Sequence, residues 1–257
     1  MIDSEFLKVA KQAAIEAGKI VKKYYQSELT LYNKGHFTNF ATEADLQTEK
    51  KIIEIIKRNF PTHNIIAEES GGVKSKSEYT WVIDPIDGTI AFVDGIPTFG
   101  ISIGLLKNNE PFLGVISLVA TSQLYWAEAG TGAFLNGKRI STRKISNLEN
   151  CTIAFGYGHK DGLAILDSFF RPLMGRVRQI YLFGSAVSSM CYIARGMIDS
   201  YIISGHVWDV AAGAIIVKEA GGKVTDLGGN KPDWTKDRMG LVLSNGLIHD
   251  QILEVLK

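Results

Sequence analysis

Residues 81–89 read Trp81-Val82-Ile83-Asp84-Pro85-Ile86-Asp87-Gly88-Thr89. A short apolar run delivers Asp84 at its end, Pro85 forces a turn, and Asp87 follows beside a glycine that lets a ligand approach the backbone closely. Two carboxylates on one tight turn can share or neighbour divalent cations, with the Ile86 carbonyl as a further hard oxygen. If Gly88 and Thr89 open a short helix, their N–H groups form an anion site of phosphate size beside those cations. A strand-ending Asp and an Asp-Gly turn are also ordinary local structure. The balance moves toward chemistry because Glu68-Glu69 end the preceding apolar run, Ile65-Ile66-Ala67, in the same way. Like charges gathered at neighbouring strand ends oppose folding unless cations neutralise them.

Outward from this stretch the hydrophobic period changes. Upstream, Phe6, Ala10, Ala13, Ala17, Ile20 and Tyr24 recur at helical spacing, predicting a helix from about Ser4 to Gln26. A second helix is expected from Thr42 to Phe60, with Thr42 and Asp45 fitting a capping box and Pro61 ending it. Leu29 to Phe40 between them reads as an extended or hairpin segment. Downstream, Phe99 to Leu106, Phe112 to Val119 and Gln123 to Ala129 read as strands, and Asn136-Gly137 as a two-residue hairpin turn. Successive strands with few helices between them imply an antiparallel sheet.

Polar residues from Ser141 to Asn150 mark a boundary, dividing the chain into an α+β half, 1–145, and a smaller α/β half, 146–257. In the second half strands at Thr152 to Phe155, Val177 to Tyr181, Ile198 to Ile203 and Gly240 to Leu243 alternate with helices. The helices are expected near Gly162 to Leu173, from Gly184 to Arg195, from Trp208 to Ala220 and from Leu247. Gly221-Gly222 supplies the left-handed stop for the third of these.

The chain has 257 residues, 28 Lys+Arg against 27 Asp+Glu, and 46% hydrophobic residues. Charge balance argues against a nucleic-acid partner, which calls for a basic excess, and the apolar content argues against disorder. No apolar run approaches the ~18 residues of a membrane span, so no membrane partner is expected. Cys151 and Cys191 read as buried reduced thiols, and Asp3 and Glu5 stand where a signal peptide would be basic; a cytoplasmic location is expected. His36, His63, His159, His206 and His249 show no metal-ligand spacing and receive no role.

Three stretches, Glu68-Glu69-Ser70, Asp84-Pro85-Ile86-Asp87-Gly88-Thr89, and Trp208-Asp209-Val210-Ala211-Ala212-Gly213 leading to Glu219-Ala220-Gly221-Gly222, resemble the signature motifs of the inositol monophosphatase family in order and spacing. These are Mg²⁺-dependent, lithium-sensitive phosphatases of the fructose-1,6-bisphosphatase-like superfamily. The resemblance runs from Lys34 through Gly222 and implies a layered α-β-α-β-α sandwich, a homodimer and two or three Mg²⁺ per site. It implies that Glu68, Asp84 and the Ile86 carbonyl hold one Mg²⁺, and that Asp84, Asp87 and Asp209 hold a second. Glu68 and Thr89 would orient and deprotonate the attacking water, with Asp45 supporting Thr89. Gly88 and Thr89 would face the phosphate, Lys34 would stand on a loop at the entrance, and Gly184-Ser185-Ala186 would contact the hydroxyl-bearing part of a small phosphorylated metabolite.

Plainer readings stand beside these. Asp45 is equally the third residue of a capping box, Asp209 a helix N-cap, Lys34 a solvated loop lysine and Trp208 a packing residue. Two departures bear on substrate. Ile90-Ala91-Phe92 stands where family members often have Thr-Asn-Phe, and Ile202, seven before Asp209, stands where the animal enzymes carry a glutamate that bonds inositol. The expected reaction is hydrolysis of inositol 1-phosphate or a related monoester. Fructose 1,6-bisphosphate, NADP, 3′-phosphoadenosine 5′-phosphate and histidinol phosphate are alternatives. Arg176, Arg178 and Arg195 are candidate contacts for a second phosphate, against plain surface solvation. A non-catalytic metal-binding module is the reading from another class.

Overall fold

The structure, a computed structural model, describes residues 3–36, 39–73, 75–156 and 166–257. The chain opens with α1 (Glu5–Tyr24), capped by Ser4, whose hydroxyl accepts the Leu7 N–H at 3.1 Å. Next come a small hairpin, β1 (Leu31–His36) and β2 (Asn39–Thr42), and then α2 (Glu43–Asn59), which begins in the expected Thr42/Asp45 capping box. The first large sheet holds β3 (Asn64–Ala67), β4 (Tyr79–Asp87), β5 (Gly100–Lys107), β6 (Glu110–Leu118), β7 (Gln123–Glu128), β8 (Gly132–Leu135) and β9 (Lys138–Ile140), hydrogen-bonded in that order. A short helix, α3 (Thr89–Val93), follows β4. The pairing is antiparallel as expected except at β3, which lies parallel to β4.

The second sheet runs β11-β10-β12-β14-β13, built from β10 (Thr152–Gly156), β11 (Gln179–Tyr181), β12 (Ser200–His206), β13 (Lys223–Asp226) and β14 (Arg238–Ser244). Here β10, β11 and β12 are parallel and β14 runs against its neighbours. Its helices are α4 (Arg171–Leu173), α5 (Ala186–Ala194), α6 (Val207–Glu219) and α7 (His249–Val255). The expected helix near Gly162 to Leu173 lies outside the described residues up to 165; Leu166–Phe170 forms a π-helical turn leading into α4. Strand β13 has too weak an apolar pattern in Lys-Val-Thr-Asp to be read from sequence.

Layering follows from which face each strand makes apolar. One face of the seven-stranded sheet, with Trp81, Ile83, Ile103 and Val115, packs on the small-residue stripe Ala10, Ala13, Ala14 and Ala17 of α1 and on Ile52 and Ile56 of α2. The other face, with Val82 and Ile116, packs on Val187 and Met190 of α5 and on Val210 and Ala211 of α6. The same cluster takes in Tyr201, Ile203, Leu241 and Leu243 of the second sheet, so α5 and α6 form a middle layer shared by both halves. Beyond it, Ile153, Ile202 and Val242 pack outward on Ile248 and Ile252. The result is an α-β-α-β-α sandwich.

Helix α6 lies very close to the first sheet. Gly104 and Gly114 face each other across β5 and β6, and a Cβ on Gly114 would sit 2.3 Å from the Ala212 carbonyl oxygen. Glu219, at the far end of α6, accepts the N–H groups of Gly130 and Gly132 at 2.9 and 2.8 Å, clasping the β7–β8 turn. Held at its middle and at its far end, α6 delivers its first turn to the end of β4.

Candidate active site

Residues three apart on a regular strand point to opposite faces. On β4 Asp84 pairs with Ser102 but Asp87 with Gly100, so three steps along β4 match two along β5. This bulge, at Pro85-Ile86, turns Asp87 onto the side of Asp84. Asp84 is 2% exposed and accepts the Ile86 N–H at 3.0 Å. Gly88 then adopts φ 87°, where its missing Cβ avoids the Thr98 carbonyl, and α3 starts at Thr89 as the sequence suggested.

Asp87 reaches across to the second half of the chain. It accepts the N–H groups of Ala186 and Val187 at 3.2 and 3.1 Å and the Ser185 hydroxyl. Asp209, third residue of α6, accepts the His206 N–H at 2.7 Å. One carboxylate oxygen from each of Asp84, Asp87 and Asp209 falls within 4.8 Å of the others. Burial, then the charges of Glu68, Asp87 and Asp209, hold the Asp84 carboxyl well above the usual carboxylate range. Desolvation and Asp87 do the same to Asp209. Burial pushes Asp87 up to about 6, against the hydrogen bonds from Ser185, Val187 and Ala186. Three hard oxygen donors that resist joint ionisation suit a divalent cation, whose charge removes that resistance.

Glu68 stands at the edge of this trio. Lys34, from β1, lies 3.0 Å from Glu68 Oε1 and 2.6 Å from Glu69 Oε1. Burial lowers the Lys34 ammonium pKa, but the two glutamates outweigh it and the net shift is upward. Asp45 lies fully buried, with Oδ2 accepting the Thr42 N–H and hydroxyl at 2.7 and 2.6 Å, while Oδ1 has no hydrogen-bond partner. Burial, opposed by Thr42 and aided by Glu68 and Glu69, lifts Asp45 to about 7.

Several expectations need correction. No hydrogen bond joins Asp45 to Thr89: the Thr89 hydroxyl donates to the Ile86 carbonyl at 3.0 Å, because α3 folds it back over that oxygen. Gly184, Ser185 and Ala186 line the cavity, yet the Ser185 hydroxyl and the Ala186 N–H are spent on Asp87. Arg178 bonds Thr152 Oγ1 at 2.8 Å, and Arg195 bonds Gln123 and Tyr125 at 3.2 and 3.3 Å. Neither they nor Arg176 line the cavity; Arg238 does. Ile202 is fully buried on the α7 side of the second sheet, and strand alternation brings Tyr201 and Ile203 to the cavity instead.

The cavity measures about 970 Å³. Its lining brings the carboxylates together with apolar Phe155, Leu182, Phe183, Tyr201 and Ile203 and with polar Lys34, Ser204 and Arg238. His206 and Trp208 stack on its wall with centroids 4.4 Å apart. Sequence reading passed over Arg238, Tyr201 and His206. His206 alone carried a signal, standing three before Asp209 at the start of α6.

Comparison with known proteins shows the family to which the chain belongs. The model of the inositol monophosphatase family matches residues 2–257. A fructose-1,6-bisphosphatase/inositol-1-monophosphatase of Thermotoga maritima is 39% identical over 225 residues, covering 87% of this chain and 84% of the relative. Inositol monophosphatase 2 of Solanum lycopersicum is 36% identical over 262 residues, covering 98% of each. The crystal structure of extragenic suppressor protein suhB from Bartonella henselae superposes with a TM-score of 0.93 at 32% identity, covering 99% of both chains. With a carboxylate trio at the end of β4 and the start of α6, and relatives matched from end to end, the chain belongs to the inositol monophosphatase family and is a phosphoric monoester hydrolase.

Proposed function

We propose that the enzyme uses Mg²⁺, two or three ions per site, to hydrolyse small phosphate monoesters, among them inositol 1-phosphate and fructose 1,6-bisphosphate. The observation that carries this is the trio Asp84, Asp87 and Asp209, three carboxylate oxygens within 4.8 Å of one another. These residues, joined by Glu68 and the Ile86 carbonyl, would hold the ions. When bound, Mg²⁺ supplies Lewis acidity toward the phosphate and the attacking water.

The chain's own groups then have distinct tasks. Thr89 donates its hydroxyl hydrogen to Ile86, so its oxygen keeps lone pairs with which to accept a hydrogen from the attacking water. Glu68 is the proton acceptor beside it. Asp45, lifted to about 7, stands behind Glu68 and Glu69 as a buried acid whose Oδ1 lacks a partner, which supports a water or cation reaching it. Gly88 and Thr89 border the phosphate, and Lys34 places a positive charge at the entrance. Water attacks phosphorus in line, the ester P–O bond breaks, and the leaving oxygen takes up a proton; no residue becomes phosphorylated. Ser185 and Ala186 serve by fixing Asp87.

The leaving group meets apolar walls and Arg238 rather than a ring of hydroxyl acceptors, which supports broad substrate use. Exposed Ile90, Ile96 and Leu182 on the cavity rim support pairing into a homodimer. Buried free Cys151 and Cys191 agree with a cytoplasmic, reducing location, and a site for small hard cations agrees with lithium sensitivity. The division is kept at 145/146, with the first half giving most ligands and the second Asp209. The test is phosphate release from inositol 1-phosphate, fructose 1,6-bisphosphate, NADP and histidinol phosphate in Mg²⁺, with and without Li⁺. Mg²⁺-dependent release from more than one member is expected; release independent of divalent cations overturns the metal assignment.

A further inference from the structure

Glu49 lies one helical turn beyond Asp45 on the inner face of α2 and is 3% exposed. A carboxylate buried so deeply is costly unless charge-assisted hydrogen bonds satisfy it. Its partners are two main-chain donors in the turn after β3: the Glu69 N–H at 2.7 Å and the Ser70 N–H at 2.9 Å. The same turn carries Glu68. On its other side the Glu68 N–H bonds the Ile83 carbonyl of β4 at 3.2 Å, one residue before Asp84. The main chain at Glu68 is thus held from β4 on one side and from α2 on the other.

This double hold has a use. Glu68 is bonded to Lys34 and lies outside the tight trio of Asp84, Asp87 and Asp209. To serve a cation its carboxylate, whose Oε1 is bonded to Lys34, must reach the trio while its backbone stays in register with Asp84. We propose that Glu49 is a positioning residue of the metal site: by gripping the Glu69 and Ser70 N–H groups it sets the reach of Glu68 toward the trio, and so the affinity for divalent cation. The proposal rests on the reading of Glu68 as a metal ligand.

Glu49→Gln keeps the shape, but one acceptor oxygen becomes an NH₂ group facing an N–H donor, so one hydrogen bond turns into a repulsion. Calorimetric titration of the metal-free full chain with Mg²⁺ is expected to show roughly tenfold weaker binding, within the range for groups that support metal ligands. Half-saturation of phosphate release by Mg²⁺ should rise in step, more than the substrate KM at saturating Mg²⁺. Ile52→Val, in the packed face of the same helix, is the stability control, expected to lower Tm and leave Mg²⁺ affinity as it was. A Glu49→Gln protein with lowered Tm and wild-type Mg²⁺ affinity overturns the proposal and makes Glu49 a plain structural residue. Should that variant not fold, Glu49→Asp, which keeps the charge but retracts it, is read in the same way. Mg²⁺ uptake by the wild type without turnover of any ester refutes only the phosphatase chemistry, whereas absence of uptake refutes both.

Discussion

In the cavity Asp84, Asp87 and Asp209 are each held by main-chain N–H groups, from Ile86, from Ala186 and Val187, and from His206. Beside them Phe155 of β10 and Tyr201 and Ile203 of β12 line the same cavity as side chains on strand faces. The first kind of placement depends on a bulge, a glycine and two helix starts, so a small change there displaces a charge. The second depends on strand alternation, and a change of side chain alters the wall without moving the backbone. The carboxylates are therefore tied to the backbone of the fold, while the apolar lining rests on side chains that can change without moving it.

The sharpest way to break this contrast is Asp209→Asn. The amide oxygen can still accept the His206 N–H, so the fold is kept, while Mg²⁺-dependent phosphate release should fall by about a thousandfold or more. Metal-free Tm should rise, because one member of a mutually repelling trio is neutralised. Full activity in this variant would remove Asp209 from the machinery.

A second test uses protons against cations. Asp87 at about 6 and Asp45 at about 7 are raised above the roughly 4 expected for an unfolded Asp. As pH falls from 7 toward 4 the folded, metal-free chain takes up protons that the unfolded chain does not, and these groups add stability over that window. Mg²⁺ needs the ionised carboxylates, so the rise in Tm that it causes should be full above about pH 7 and shrink toward pH 5. His249, buried between Thr225 and Ser244 and pushed down to about 4 by desolvation, acts in the opposite sense. Its contribution is complete above about pH 6.5 and is lost as pH falls toward 4, but it is the same with and without Mg²⁺ and cancels in the difference. A Mg²⁺-induced shift that does not vary between pH 7 and 5 would contradict the carboxylate assignment.

The smallest effects concern the apolar side chains of β12. Ile203→Glu places a hydroxyl acceptor on the cavity wall and should raise the preference for inositol 1-phosphate over fructose 1,6-bisphosphate, read as a ratio of kcat/KM, by about tenfold. Ile202→Val, one residue away but facing α7, should cost about 1 kcal/mol of stability in denaturant titration and leave that ratio alone. The reverse pattern would mean that the strand register on β12 is misassigned.

The Asp84/Asp87 turn was legible because its signal is local: Asp84-Pro85-Ile86-Asp87-Gly88-Thr89 encodes the turn that carries both carboxylates, and the Thr42/Asp45 box starts α2 where expected. Ile202 was misjudged because counting back from Asp209 says nothing about which face of β12 a residue takes. Arg176 is exposed, as the solvated reading had it, whereas the partners of the other two arginines lie beyond the reach of sequence. Arg178 and Arg195 are claimed by Thr152, Gln123 and Tyr125, partners at least 26 residues away, while Arg238 reaches the cavity from β14. Strand β3 lies parallel because the segment between it and β4 runs back along the sheet, which no hydrophobic period records.

By itself the sequence determined most element types and the carboxylate-bearing motifs, since periodicity, capping and a six-residue turn act over a few neighbouring residues, while the layered class came with the family resemblance that those motifs carry. Only the tertiary structure decided that Asp209 meets Asp84, that Ser185 bonds Asp87, that Glu49 grips the Glu68 turn, and that Ile203 rather than Ile202 lines the cavity. Each of these depends on how close a helix can approach a sheet or which way a strand is turned. Those distances are set by packing between segments far apart in the chain, here by α6 lying against Gly104 and Gly114.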